Sequence, residues 1–323
     1  MGKLIEGKWH SDSGAAISAS GAFQRNESSF RNWITPDGAP GPSGVGGFKA
    51  EAGRYHLYVS TACPWAHRTL IFRALKGLTD MISVDSVIPL MLDSGWEFAP
   101  GTEGREDSLT GRRYLREIYQ QADPAVTTRA TVPILWDKQR QTIVSNESAE
   151  IIRMFNSAFD GLTGNTDDYC PAGLREQIDR INARIYRTFN NGVYRAGFAR
   201  SQSAYDAAVA DVFETLDWLE ELLSTQRYLL GDRLTEADWR LFPTLARFDL
   251  VYHFHFKCSR NRLVEMPNLW AYARELYQHP GISGTVFFDD YPAHYFASHD
   301  SINPYRIIPQ LPKADWSAPH GRG

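Results

Sequence analysis

Cys63 opens the run Cys63-Pro64-Trp65-Ala66-His67-Arg68, directly after the apolar stretch Tyr55 to Val59 and at the head of a helical pattern carrying Leu70, Ile71 and Ala74. A strand, a short turn and a helix with proline at its first position would set the thiol among the backbone N–H groups at the helix start, where the dipole favours thiolate. Such a sulfur is a nucleophile. Ala66 stands where a dithiol redox motif carries its resolving cysteine, so disulfide chemistry at Cys63 would pass through a mixed disulfide with an outside thiol. Free cysteine also packs as a small apolar side chain, but the strand-to-helix switch argues for the reactive role. Cys170 and Cys258 have no such setting.

Two other patterns reduce to structure. His253-Phe254-His255 looks like a metal pair, yet residues two apart on a helix point to different sides, and no Cys/Asp/Glu cluster accompanies them, so no metal is expected. Gly44-Val45-Gly46-Gly47 does not open a helix after a strand and is no dinucleotide fingerprint.

The elements that must hold Cys63 follow from periodicity. Residues 1–50 lack clear periodicity and contain Pro36-Asp37-Gly38-Ala39-Pro40-Gly41, and they read as an irregular arm. Then come a strand (Tyr55 to Ser60), a helix (Pro64 to Lys76), a strand (Ile82 to Pro89), a long loop, a helix near Arg112 to Gln121, two short strands (Val132 to Trp136, Thr142 to Ser145) and a helix from Glu147 to about Ser157. The unit spans 51–160. After a Gly-, Asp- and Thr-rich linker from Asp160 to Gly173, residues 173–296 read as all helical. Val209, Val212, Leu216, Leu219 and Leu223 form one helical stripe, Thr235-Glu236-Ala237-Asp238 is a capping box that starts a helix through Leu241, Leu245 and Phe248 to Tyr252, and Asn268 to His279 is a further helix. Residues 297–323 form a proline-containing tail.

At 323 residues the chain is long enough for two cores. A net charge of −4 without a basic block disfavours nucleic acid and anionic membranes as partners. No stretch approaches the roughly 20 apolar residues of a membrane helix. Met1 to His10 lacks the apolar segment of a secretory signal, and three cysteines make no disulfide framework, so a reducing, cytoplasmic setting is expected.

A βαβ-α-ββα unit with cysteine at its first helix, Val132-Pro133 before its third strand and Glu147-Ser148 at the next helix start resembles the glutathione transferase family. More narrowly, the stretch from Gly46-Gly47-Phe48 to Gly77, the loop with Gly95-Trp96-Glu97-Phe98 and the tail Ser301-Ile302-Asn303-Pro304 resemble its Xi class, the glutathionyl-hydroquinone reductases. The resemblance implies an α/β thioredoxin-like N-terminal domain plus an all-α C-terminal helical bundle, glutathione as co-substrate, no metal and a homodimer. It implies a cis bond at Val132-Pro133, with Val132 facing a peptide ligand. It further implies a glutathione site lined by Trp96, Arg129, Val132, Pro133, Glu147 and Ser148. Ser148 and the helix N-terminus would hold a carboxylate, Glu147 would meet the ammonium, and Arg129 would offer a fork to a carboxylate. Read alone, Glu147-Ser148 is a helix cap.

The same resemblance gives Tyr194, Tyr252 and Tyr295 to the second-substrate pocket, with Tyr194 as proton donor. Read alone, Tyr252 shares a helical face with Leu241 and Phe248 and would be core, Tyr194 follows a helix end at Asn190-Asn191-Gly192, and Tyr295 lies in an irregular segment. The implied activity is removal of glutathione from glutathionyl-hydroquinones through a Cys63–glutathione disulfide. Two alternatives share much of this pattern: an Omega-like transferase reducing dehydroascorbate or mixed disulfides, and a non-catalytic binding protein on the same fold.

Overall fold

The computed structural model describes residues 2–11, 16–25 and 27–322. They fall into two compact units, Met1–Gly14 with Glu27–Asp167, and Ala15–Asn26 with Asp168–Gly323.

The first unit begins with structure where an irregular arm was expected. β1 (Lys3–Ile5) and β2 (Lys8–His10) form an antiparallel hairpin that turns on Glu6 and Gly7, both at positive φ (48° and 73°). The arm also contributes isolated pairings, Leu4 with Thr128 and Arg31 with Ser145.

The sheet is built on β3 (Tyr55–Val59), every residue of which is buried. It runs parallel to β4 (Ser83–Ser86), reached through α1 (Pro64–Leu75), and antiparallel to β5 (Ile134–Asp137), which pairs in turn with β6 (Thr142–Ser145). The order is β4-β3-β5-β6. A strand flanked on both edges and covered on both faces has no polar face to alternate with, which explains the run Tyr-His-Leu-Tyr-Val. α2 (Leu115–Ala122) precedes β5, α3 (Ser148–Ser157) follows β6 and packs on α1, and α4 (Asp160–Thr163) is a single turn inside the expected linker. β4 stops four residues after it starts because the chain then enters the long loop, tied at Ser86 N to Gly104 O (2.9 Å).

The second unit is helical: α5 (Arg175–Ile185), α6 (Gly192–Gly197), α7 (Gln202–Thr225), α8 (Glu236–Arg247), α9 (Pro267–Gln278) and α10 (Asp290–Ser298). The α7 stripe buries Val212, Leu216, Leu219 and Leu223 as the spacing predicts, with Ala208 rather than Val209 completing it. The capping box at Thr235 is present, and Asp238 does more than cap. Its Oδ1 also accepts from Tyr272 Oη (2.8 Å) and Leu229 N (3.0 Å), joining α8 to α9 and to the preceding loop.

Two helices carry a wide turn that the sequence does not signal, although the second ends at Tyr252 as the spacing predicts. α5 runs on through a π-helical turn at Tyr186–Asn190, closed by Asn191 N donating to Tyr186 O (2.9 Å), and α8 runs on through another at Phe248–Tyr252. The expected helix end before Tyr194 is therefore a wide turn, after which α6 carries Tyr194. Tyr295, expected in an irregular segment, lies on α10; Pro292 falls in the first turn, where its missing N–H is not needed. Among the described residues no helix is long and apolar enough to cross a membrane.

The start of β3 and the end of β5 are locked by a buried ion pair. Arg54 Nη2 lies 2.5 Å from Asp137 Oδ2, with both side chains almost fully buried. We expect Asp137→Ala to leave a buried guanidinium without its carboxylate and to cost about 3–5 kcal/mol, read as a lower urea midpoint for the first unit. An unchanged midpoint would remove the pair from the stability of the sheet.

Candidate active site

Cys63 is the residue at the mouth of α1, with extended backbone (φ −80°, ψ 123°) and Pro64 as the first helical residue. The turn that delivers it is fixed at each step. Cys63 N donates to Ser60 O (3.0 Å), Cys63 O accepts the first helical bond from His67 N (3.0 Å), and Arg105 Nη1 reaches from the long loop to Thr61 Oγ1 (2.9 Å), Ser86 Oγ (3.1 Å) and Val87 O (3.1 Å). The sulfur is half-buried and 3.7 Å from Val132 O, to which the thiol donates. The Val132-Pro133 bond is cis. Cys63 and Val132 are thus brought together as one surface of the first unit.

Glu147 and Ser148 sit at the start of α3. Glu147 is its cap: Oε1 accepts from Ala149 N (3.0 Å), while Oε2 accepts from Ser28 Oγ (2.9 Å). The cap reading made from residue type holds in the structure, and a carboxylate has lone pairs left for a ligand cation. Ser148 is 3% exposed. Trp96, 7% exposed, lies in the loop after β4, where its carbonyl accepts from Leu115 N (3.0 Å); Arg129 is half-buried between α2 and β5.

The tyrosines belong to the second unit and converge. Tyr295 Oη lies 2.5 Å from Tyr194 Oη and 3.0 Å from Tyr252 Oη, so one hydroxyl links the other two. Tyr252 and Tyr295 are almost wholly buried, and burial raises both pKa values well above the ordinary phenol value and keeps them neutral; Tyr194 alone of the three is only half-buried. Phe256 braces them, its ring 5.3 Å from that of Tyr194 and 5.5 Å from that of Tyr252. Gly197 makes room for that brace, since a Cβ there would fall 2.1 Å from Phe256.

Several neighbours escaped the sequence reading. Arg25 places its guanidinium 4.9 Å from the centroid of the Tyr194 ring and donates from Nε to Asn191 Oδ1 (2.9 Å). His255, dismissed as half of a metal pair with His253, pairs instead with His299, Nε2 to Nδ1 at 3.1 Å, with the ring of Tyr295 5.5 Å from that of His299. One imidazole must donate and the other accept, and burial favours the neutral form of both. Burial lowers His255 to about 4 and His299 well below its ordinary value. These contacts join residues far apart in the chain and leave no local signal, although Arg105 in a Gly-rich loop and Ser28 two residues before Phe30 could have been marked as polar anchors.

A thioredoxin-like sheet with a lone cysteine at its first helix and a cis-proline loop beside it, accompanied by an all-helical unit carrying clustered phenols, defines a cysteine-type glutathione transferase fold. Residues 62–158 match the family described as glutathione S-transferase, N-terminal domain, and residues 202–275 the one described as glutathione S-transferase, C-terminal domain. The chain belongs to the glutathione S-transferase family, in its Xi class. It is 57% identical to the glutathionyl-hydroquinone reductase YqjG of Escherichia coli, over 100% of this chain and 98% of that one, and 50% identical to the glutathionyl-hydroquinone reductase PcpF of Sphingobium chlorophenolicum, over 97% and 96%. The glutathione-bound structure of YqjG superposes with a TM-score of 0.92 at 55% identity, covering 99% of both chains. A Xi-class transferase from Natrialba magadii does so with a TM-score of 0.90 at 47% identity, covering 100% of this chain and 97% of that one.

Two outcomes follow from the geometry. Iodoacetamide near pH 6 should alkylate Cys63 in the folded protein and spare Cys170 and Cys258, which are buried, the Cys258 thiol being pushed up to about 12; peptide mapping that finds Cys63 no more reactive than Cys258 would contradict it. The buried imidazoles make stability fall with acid. An unfolded histidine takes a proton below about pH 6.5 that folded His255 refuses until about 4, so the unfolded state binds more protons across that window and stability declines as pH drops through it. Each such histidine contributes about 1 kcal/mol per pH unit there. Urea titrations from pH 7 to 5 should show this slope for the helical unit and a shallower one in His255→Phe.

Proposed function

We propose that the chain is a glutathionyl-hydroquinone reductase working through Cys63. The observation that carries the reading is the half-buried Cys63 sulfur at the start of α1, 3.7 Å from the carbonyl before a cis-proline, in a chain 57% identical to a reductase of that name. In this reading the Cys63 thiolate attacks the sulfur of glutathione attached to the aromatic ring. The S–S bond of a Cys63–glutathione disulfide forms as the ring C–S bond breaks. The electron pair of the broken bond goes to the ring carbon with one proton, so the ring is reduced and the two sulfurs oxidised. A bare aryl carbanion is a poor leaving group, so that proton must come from a placed acid, or the ring must react as its keto tautomer. A second glutathione thiolate then attacks the disulfide, releasing oxidised glutathione and restoring Cys63.

We assign the acid to Tyr194. The buried phenols support this choice: when Tyr252 donates to Tyr295, and Tyr295 to Tyr194, each bond polarises the next and strengthens Tyr194 as a donor. Trp96, Arg129, Val132, Pro133, Glu147 and Ser148 are assigned to the tripeptide, with the α3 N-terminus and Ser148 on its γ-glutamyl carboxylate and Glu147 on the ammonium. A homodimer in the cytoplasm belongs to the same proposal.

Exposure of the protein to a glutathionylated hydroquinone, quenched before a second thiol is added, should give one added glutathione on Cys63 by mass spectrometry. Cys63→Ser should abolish turnover, while Cys170→Ser and Cys258→Ser retain it; a Cys63→Ser variant with full turnover would end the mechanism. Tyr194→Phe should slow single-turnover ring release by about 10²–10⁴-fold, the range for loss of a general acid, with glutathione binding kept. Equal single-turnover rates would take the acid role away from Tyr194.

A further inference from the structure

The hairpin at the start of the chain has a tryptophan whose contacts lead to one place. Trp9, on β2, donates from Nε1 to Asp93 O (2.9 Å). Its ring is bounded by two glycines: a Cβ at Gly2 would lie 2.2 Å from it and a Cβ at Gly95 3.0 Å from it. Gly95 also has φ +78°, a conformation that a side chain would strain. Arg116, from α2, sits 5.1 Å from the Trp9 ring centroid and donates through Nη1 to Ser94 O. Asp93, Ser94 and Gly95 are therefore each held, two by bonds to their carbonyls and one by a ring laid against it. The next residue is Trp96.

The hairpin is itself anchored. Leu4, paired with Trp9 across the hairpin, exchanges both backbone bonds with Thr128 (2.8 and 3.1 Å), Gly7 N donates to Val126 O (2.9 Å), and Gln120 Nε2 donates to Gly7 O (2.7 Å). The turn is thus clamped against a pinned surface immediately before a side chain assigned to ligand binding, in addition to its own bond from Gly95 N to Leu92 O (2.9 Å).

We propose that Trp9 is a positioning residue for glutathione: it fixes the Asp93–Gly95 turn and through it the orientation of Trp96. The inference rests on the assignment of Trp96 to the glutathione site. Acting through Trp96, Trp9 changes the affinity for the tripeptide and leaves the thiol chemistry alone. A loop that must be ordered by the ligand loses affinity to that ordering, and a loop already ordered does not.

The test is a double-mutant cycle in the full-length protein, titrated calorimetrically with S-methylglutathione, which cannot form a disulfide. Trp9→Ala is expected to weaken binding about tenfold in the parent and less than about twofold in a Trp96→Ala background, because two residues acting as one unit are not additive. Trp9→Phe, which keeps a ring against Gly95 but loses the bond to Asp93, should weaken binding less than alanine does and show the same loss of effect in the Trp96→Ala background; it carries the test if the alanine variant does not fold. In steady state both Trp9 variants should raise KM for glutathione with kcat kept, whereas general destabilisation would lower active fraction and leave KM unchanged. If Trp96→Ala weakens binding but the Trp9 variants do not, or do so equally in both backgrounds, the inference falls and the site assignment stands. If Trp96→Ala has no effect on binding, the assignment of Trp96 fails and the inference with it.

Discussion

The contact between the Cys63 sulfur and the Val132 carbonyl joins segments 69 residues apart, and the first unit is arranged so that these two meet. One side is delivered by β3, buried along its whole length, and by a turn fastened at Ser60 and Thr61 before the helix begins. The other is delivered by β5, the neighbour of β3, whose first residue follows the cis-proline directly. Register between those strands, Tyr58 opposite Ile134, sets how far along each the chain emerges, so that a slip of one residue would separate sulfur and carbonyl. The Arg54–Asp137 pair lies at the opposite ends of the same two strands and holds that register. Reactivity at one end of the sheet is thereby tied to an ion pair at the other.

The helical unit solves a different problem, keeping three phenols mutually bonded and the two buried ones protonated. Burial settles the protonation, since removing water from Tyr252 and Tyr295 penalises their anions. The geometry is settled by what surrounds them: Phe256 filling the space that Gly197 leaves, and the His255–His299 pair, neutral for the same reason as the phenols.

Much of this was legible in local pattern. Cys63-Pro64 after an apolar run, the capping box at Thr235 and the stripe along α7 are signals carried by residues within a few positions of each other, and each appears in the structure where the spacing puts it. The N-terminal hairpin was hidden because its strands are three residues long and bury only Leu4, although Glu6-Gly7 between Lys-Leu-Ile and Lys-Trp-His is a two-residue turn signal. α10 was hidden by Pro292 and by aromatic residues on several faces. Contacts such as Arg25 with Tyr194 or His255 with His299 depend on tertiary packing and have no sequence period to betray them. The tyrosine trio came from family likeness; residue type alone favoured core for Tyr252, which is fully buried.

The two wide turns, at Tyr186–Asn190 and Phe248–Tyr252, each lie just ahead of, or include, one member of that trio. A π turn takes up one residue more than an α turn over the same rise, and one residue corresponds to about 100° around a helix axis. Each therefore acts as a phase shifter, turning all that follows without altering the path of the axis. Were either turn to close as an ordinary α turn with its residues kept, everything after it would be rotated by about 100°, and its tyrosine would swing about a quarter of a revolution out of the cluster. The angular placement of these tyrosines is accordingly set by the width of a backbone turn as much as by any side chain that packs on them.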